Sequence, residues 1–209
     1  MTQRNTVVLV HGLWAGAWSL KLIGKWLEKK EFEVHYFKYN SIKSSLNDIS
    51  ENLFHFIKSR KLKNVTLAGH SLGGIVILNL LNQYQLNNIK AAICFGSPVN
   101  GSIVVRSLCS KKLFRFVFGN CFNTLSNGLD YTGKVNVGII AGNGGKGIGR
   151  LFAKVEKPHD GAVSITEATL KNSHKMIILP VSHFSMLFSK QIAIEIAQFS
   201  KQNSFDLHS

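Results

Sequence analysis

One stretch sets the architecture of this chain: Val65-Thr66-Leu67-Ala68-Gly69-His70-Ser71-Leu72-Gly73-Gly74-Ile75-Val76. Its first part is an apolar, β-prone run that stops at a glycine, and its last part begins an apolar run of helical length. A strand that passes so directly into a helix must turn sharply, and bulk at positions 69 and 73 would clash with the turned chain. The stretch therefore predicts a strand, a tight turn at Ser71 and a helix.

The turn has the G-x-S-x-G spacing of a nucleophile elbow, in the strand-to-helix setting that this motif requires. Such a turn holds the Ser71 hydroxyl out at the carboxyl end of the sheet. The helix starts beneath it, so its first amide groups and its positive dipole end face any negative charge that develops there. The alternative is a glycine-rich turn with an ordinary serine, which the motifs described below disfavour.

Length and composition indicate one globular domain over residues 1–209. Hydrophobic residues make up 45% of the chain and charged residues 17%, which is enough to build a core and unlike a disordered segment. The formal net charge of +14 favours anionic partners, although scattered lysines that only confer solubility fit equally well. No Lys/Arg block is long enough for a nucleic-acid arm, so we expect no nucleic acid as partner.

Signals of compartment and metal binding are few. The chain has three cysteines without C-x-x-C spacing, which indicates neither a disulfide framework nor a metal site and fits a reducing compartment. The short apolar run at 7–10 imitates a signal peptide but is broken by His11-Gly12. No apolar run approaches the ~18 residues of a membrane span. We expect a cytoplasmic location, with membrane association as an alternative.

The rest of the chain alternates between strand-like and helix-like segments. Continuous β-branched apolar runs are typical of buried parallel strands, and the segments between them carry apolar residues at helical spacing. This alternation predicts βαβ units and a parallel sheet with right-handed crossovers. The predicted strands are 6–10, 33–39, the run before Ser71, 90–95, 135–141 and 174–179. The predicted helices are 18–30, one opened by a capping box at Ser45–Asp48, the elbow helix to about residue 84, and 185–201.

Four motifs, taken in order, resemble the α/β-hydrolase family, in particular its small lipase- and esterase-like members. The motifs are Val8-Leu9-Val10-His11-Gly12, Gly69 to Gly74, Asp160-Gly161-Ala162-Val163-Ser164 and Val181-Ser182-His183-Phe184. The resemblance covers about residues 6–200 and implies the order Ser…Asp…His of that family. The two antiparallel strands that usually open the sheet are missing. The expected fold is therefore a minimal α/β-hydrolase fold, with about six mostly parallel strands flanked by helices on both faces and a short cap insertion at 101–133.

A serine nucleophile needs a base, and His183 is the predicted one. A serine hydroxyl is weakly nucleophilic at neutral pH unless an imidazole within hydrogen-bond reach takes its proton. His183 follows the last predicted strand, at the same edge of the sheet as Ser71. His159 is the main rival, because it neighbours the predicted acid.

The acid that orients the base is predicted by exclusion to be Asp160. Of the four aspartates, Asp48 opens a helix, Asp130 lies at the wrong edge of the sheet and Asp206 is in the tail. Asp160 lies in the connection that follows strand 135–141, at the right edge. The fallback acids are Glu156 and Glu167.

An oxyanion hole requires two N–H donors aimed at the developing charge. The elbow offers the backbone N–H of Leu72, and the loop after the first strand offers that of Leu13, or alternatively that of Trp14. Glycine at position 12 lets this loop approach the substrate. These groups predict a serine hydrolase that cleaves small-molecule acyl (carboxylic) esters through an acyl-enzyme. The alternatives are an acyltransferase, or a catalytically idle protein that uses the fold to bind a lipid or a partner.

Two further segments carry weaker signals. Residues 142–147 spell G-x-G-x-x-G, but they lie near the end of the chain and not in its first βα turn, so we expect no nucleotide or other cofactor and no metal. Residues 101–129 contain no acidic residue and interleave basic with apolar side chains. They predict either a cationic flap that touches anionic membrane or a pair of short helices packed on the body.

Overall fold

The computed structural model describes residues 4–109, 119–145, 154–171 and 175–205, and its centre is a six-stranded parallel sheet. The strands are β1 (Thr6–Val10), β2 (Glu33–Phe37), β3 (Val65–His70), β4 (Ile89–Phe95), β5 (Val137–Gly142) and β6 (Lys175–Leu179). They lie in the order β2-β1-β3-β4-β5-β6, and every neighbouring pair is parallel. The predicted fold class is confirmed, and β3 lies near the centre of the sheet.

Helices cover both faces of the sheet. They are α1 (Lys21–Glu28), α2 (Leu46–Ser59), α3 (Leu72–Gln83), α4 (Ile103–Cys109), α5 (Phe122–Asn127), α6 (Ile165–Ala168) and α7 (Lys190–Gln202). On one face, the apolar sides of α2 and α3 pack on β-branched side chains of the sheet. On the other face, α1 and α7 bury Ile23, Leu27, Ile196 and Phe199 against the alternate side chains of the same strands. Two cores of this kind follow from the alternation of side chains along a strand.

Element ends differ from the predictions by a few residues. The first predicted helix opens as a 3₁₀ turn, Ala17–Leu20, before α1 continues it, and another 3₁₀ turn, Ser185–Phe188, precedes α7. Strand β2 ends at Phe37, opposite Val10 at the end of β1, and Tyr39 beyond it stacks on His11. Tight first turns and frayed strand ends depend on such contacts more than on local pattern.

Two local predictions are confirmed, and one glycine acts differently from the prediction. Ser45 and Asp48 form the predicted capping box at the start of α2. A Cβ on Gly69 would collide with the backbone of Gly73, as expected for a turned chain. A Cβ on Gly73 would instead collide with the backbone of Val10 at the end of β1, so this glycine lets the helix approach a neighbouring strand.

The segment 101–133 holds the short helices α4 and α5 and a 3₁₀ turn, Gly119–Cys121, while residues 110–118 lie outside the described ranges. Most of the basic and aromatic side chains predicted to form a flap fall in that gap, so the flap stays a prediction. Among the described residues, no helix has the length and apolar character needed to cross a bilayer.

Candidate active site

Ser71 sits at the junction of β3 and α3 with a strained backbone. Its φ of 54° and ψ of −120° lie in a region that non-glycine residues rarely occupy. The strain persists because the surroundings hold the turn: the Ser71 N–H donates to the carbonyl of Phe95 (3.0 Å), and no Cβ obstructs the turn at Gly69. The serine is thereby presented at the carboxyl edge of the sheet, as the motif predicts.

Asp160 is buried, and it lies in the connection between β5 and β6. Its Oδ1 accepts hydrogen bonds from the N–H groups of Ala162 (2.8 Å) and Val163 (2.7 Å). The side chain is only 1% exposed, so these two bonds and a third from a histidine replace the water that a carboxylate would otherwise bind. The sequence predicts Asp160 at this edge of the sheet, and the structure places it there.

His183 is attached to Asp160 through both its ring and its backbone. Nδ1 lies 2.8 Å from Oδ2 of Asp160, and the His183 backbone N–H donates to the Asp160 carbonyl (2.9 Å). Because a carboxylate accepts, Nδ1 carries the proton, and Nε2 of the neutral ring is left as the acceptor. The ring is partly exposed and can therefore meet a ligand.

Asp160 and His183 shift each other's pKa values, so that ionised Asp160 and protonated His183 are both favoured. Burial acts to raise the pKa of Asp160, but the charge and hydrogen bond of His183, with the two backbone N–H groups, outweigh it and lower that pKa. Burial acts to lower the pKa of His183, but the charge and hydrogen bond of Asp160 outweigh it and raise that pKa.

Ser71 and His183 both lie against the end of β4. The Ser71 N–H bonds to Phe95, and a Cβ added to the next residue, Gly96, would lie 3.2 Å from Nδ1 of His183. Gly96 has a φ of +60°, which glycine adopts without strain. The histidine loop can lie over the elbow because position 96 lacks a side chain.

His70 contacts His183, a role that no motif in the sequence predicts. Its ring is buried, with the centroid 4.8 Å from that of His183, and Nε2 lies 3.1 Å from the His183 carbonyl. A carbonyl only accepts, so Nε2 of His70 carries the proton. Burial, then the nearby His183, lowers the pKa of His70 to about 3, which keeps it neutral. The partners are 113 positions apart, so no local pattern signals the contact.

The competing residues have other partners. The Nδ1 of His159 accepts the Gly161 N–H (3.0 Å) within the turn that forms the Asp160 loop. Glu167 caps α6 with Ser164 and accepts the N–H of Ile103 (2.6 Å). Glu156 is exposed. Only Asp160 among these acids bonds to His183 in the described part of the chain.

The loop after β1 brings backbone N–H groups to the elbow. A Cβ on Gly12 would lie 3.2 Å from Cβ of Ser71, so the loop passes close to the serine. Tyr39 stacks on His11 and donates to its carbonyl (2.6 Å), which fixes the loop. The Trp14 N–H donates to Oγ of Ser41 (3.2 Å). Leu72 is the first residue of α3, where an N–H has no acceptor inside the helix.

The glycine-rich segment after β5 braces the loops that carry Asp160 and His183. The Gly144 N–H donates to the Val181 carbonyl, and the Gly145 N–H to that of His159. A Cβ on Gly142 would lie 2.8 Å from Cβ of Asp160. The segment therefore connects the two loops, while Gly147 of the G-x-G-x-x-G pattern lies outside the described residues. Within those residues, no cluster of three or more His, Cys, Asp or Glu side chains could hold a metal ion.

The chain matches a known protein family. The sequence model of the PGAP1-like alpha/beta domain matches residues 42–202, which include Ser71, Asp160 and His183. The match extends over more than half of the chain. It agrees with the resemblance to α/β-hydrolases drawn from the four motifs.

Individual proteins with related sequences or structures are named as esterases or lipases. A Mycoplasma pneumoniae protein named "Putative esterase/lipase 2" is 29% identical over 112 residues, which cover 49% of this chain and 41% of that relative. The mature Bacillus licheniformis lipase BlEst2 superposes with a TM-score of 0.73 at 19% identity, over 90% of this chain and 88% of the lipase. A metagenomic carboxyl esterase superposes with a TM-score of 0.75 at 14% identity, over 97% and 77%. At such identities, the two structures show a shared fold.

Proposed function

The chain belongs to the PGAP1-like alpha/beta domain family, and on that basis we propose that it is a serine hydrolase that cleaves carboxylic (acyl) esters. The observation that carries the proposal is the hydrogen bond of His183 to buried Asp160, together with the contact of the His183 carbonyl with His70, the residue before the elbow serine. The name of the Mycoplasma pneumoniae relative supports the same class of reaction. The substrate is a small-molecule ester with an apolar acyl portion.

The first half of the reaction forms an acyl-enzyme. Nε2 of His183 takes the Ser71 proton while Oγ attacks the ester carbonyl carbon and the carbonyl electrons move onto oxygen. The backbone N–H groups of Leu72 and Leu13 bind this oxyanion. Leu13 is the better second donor, because the N–H of Trp14 already bonds to Ser41. The tetrahedral intermediate then expels the alcohol, which leaves with the proton from His183.

The second half releases the acid. Water enters beside the acyl-enzyme, His183 takes one of its protons, and the hydroxide adds to the acyl carbon. The intermediate collapses with the proton returning to Ser71. Asp160 remains ionised in both halves and stabilises protonated His183, which agrees with the lowered pKa of its carboxyl group.

Hydrolysis of p-nitrophenyl esters of increasing acyl length tests the proposal. The wild-type protein is expected to turn over at least one ester, and Ser71→Ala to fall to background. The matched control is Ser97→Ala, because Ser97 is buried at the same sheet edge and its hydroxyl has no partner among the described atoms. Equal turnover by wild type and Ser71→Ala would contradict the assignment of the nucleophile.

A fluorophosphonate probe resolves the case in which no chromogenic ester is cleaved. Covalent labelling of wild type and Ser97→Ala, but not of Ser71→Ala, would support a hydrolase of narrow specificity. Absence of labelling in all three folded proteins would favour the alternative, a binding protein on the same fold.

A further inference from the structure

Four large aromatic side chains, Trp14, Trp18, Phe184 and Phe188, are exposed around the candidate active site, and we call them the aromatic rim. Their exposed fractions are 58%, 69%, 68% and 57%. Trp14 follows the loop that approaches Ser71, and Phe184 follows His183 directly. Isolated exposed apolar residues are common, but a group of aromatics at one functional edge marks an interaction surface.

The aromatic rim has two halves, one after β1 and one after β6. The ring centroids of Phe184 and Phe188 lie 6.0 Å apart. The 3₁₀ turn Ser185–Phe188 packs against α1, and Trp18 lies in the 3₁₀ turn that leads into that helix. Both halves of the rim therefore adjoin α1, on one face of the sheet.

The charge next to the rim is exclusively positive over two long stretches. Residues 11–27 contain Lys21 and Lys25 and no acidic residue, and residues 181–194 contain Lys190 and no acidic residue. Lys21 and Lys190 are the first residues of α1 and α7, and both are exposed. Aromatic side chains flanked by lysines complement a surface whose outer layer is anionic and whose interior is apolar.

We propose that the aromatic rim is a docking surface for anionic phospholipid bilayers. The rings insert at the level of the headgroups, and Lys21 and Lys190 lie beside the lipid phosphates. This surface is distinct from the predicted flap in residues 101–129. Docking does not require ester cleavage, so it can be tested independently of the proposed hydrolysis.

Vesicle flotation with the Ser71→Ala protein tests the docking without turnover of lipid. Binding is expected with phosphatidylcholine–phosphatidylglycerol vesicles, with weaker binding to phosphatidylcholine alone and a loss as salt is added. Trp18→Ala/Phe188→Ala should lower the partition coefficient about tenfold, because both rings leave water on docking. The matched control, Ile178→Ala, removes an exposed apolar side chain on edge strand β6 and should bind normally.

A charge-reversed pair separates lipid recognition from general positive charge. Lys21→Glu/Lys190→Glu should weaken binding to anionic vesicles about tenfold or more. Lys63→Glu/Lys134→Glu makes the same change in net charge at exposed positions before β3 and β5, at the opposite sheet edge, and should have a small effect. Equal losses in the two pairs, equal binding to neutral and anionic vesicles, or no binding would overturn the proposal. Self-association that disappears in Trp18→Ala/Phe188→Ala, without vesicle binding, would assign the rim to a second copy of the chain instead.

Discussion

His183 and Asp160 are joined by two hydrogen bonds, one from the imidazole Nδ1 to the carboxylate (2.8 Å) and one from the His183 backbone N–H to the Asp160 carbonyl (2.9 Å). The backbone bond sets the distance between the two loops, and the side-chain bond sets the ring orientation and tautomer. The carboxylate thus fixes the proton of His183 on Nδ1 and leaves Nε2 as an acceptor.

Asp160→Asn should lower kcat for ester hydrolysis by about 10³–10⁴ while leaving the fold intact. The asparagine oxygen can still accept the N–H groups of Ala162 and Val163, which directs its NH₂ group at Nδ1 of His183. The histidine must then carry its proton on Nε2, where it cannot act as base. Steady-state kinetics with circular dichroism checks this, and a kcat within threefold of wild type would contradict the role of Asp160.

The kcat/KM of ester hydrolysis should rise with pH, with a midpoint above 6.5, the ordinary pKa of histidine. The reason is that the base works only when neutral, and the Asp160 carboxylate raises the pKa of His183. Activity is therefore lost as the pH falls through the raised pKa of His183. The measurement is a pH–rate profile with a substrate that does not titrate, and a midpoint below 6.5 would contradict the conclusion that Asp160 outweighs burial at His183.

Gly73→Ala should destabilise the protein by about 2 kcal/mol or more, because the new Cβ meets the backbone of Val10 and a buried strand cannot move away without strain. Gly16→Ala is the control: its Cβ meets the ring of Trp18, which is exposed and free to move. Urea denaturation measures both variants, and a Gly73→Ala protein as stable as Gly16→Ala would contradict the close packing of α3 on β1.

The buried neutral His70 should make stability depend on pH. Its pKa is lowered to about 3 in the folded protein, so between this value and about 6.5 the unfolded chain binds a proton that the folded chain does not. Stability is therefore lost as the pH falls below about 6.5. Between pH 7 and pH 5, the wild type should lose about 2 kcal/mol more than His70→Gln.

Glutamine is chosen at position 70 because its amide can still donate to the carbonyl of His183 but does not titrate. The difference between the two proteins cancels the titration of His11, Asp160 and His183, which both contain. Equal losses of unfolding free energy in wild type and His70→Gln would show that His70 is not held neutral by the fold.

The elements of the fold were predictable because their signals lie within short windows. The glycines around Ser71 and the apolar runs on either side specify a strand, a turn and a helix within twelve residues. The capping box at Ser45 and Asp48 is equally local. Strand ends were less predictable, since β2 stops where its neighbour β1 stops, and Tyr39 beyond it contacts His11 across 28 positions.

The candidate site was predictable only in part. Ser71, Asp160 and His183 could be proposed because each follows a predicted strand, and the carboxyl ends of parallel strands meet at one edge of the sheet. The support from His70 and the passage of Gly73 over Val10 could not, because they depend on which strand lies next to which. Neighbours in the order β2-β1-β3-β4-β5-β6 are decided by packing of whole elements.

Sequence alone therefore determined the approximate positions of the strands and which polar residues follow them, since backbone sterics and hydrophobic periodicity act over a few residues. The meeting of Asp160 with His183 across 23 positions, and of His70 with His183 across 113, arose only on folding. Hydrogen bonds of this kind require two loops to be brought together by a shared core, and their geometry is a property of the assembled sheet and not of either segment.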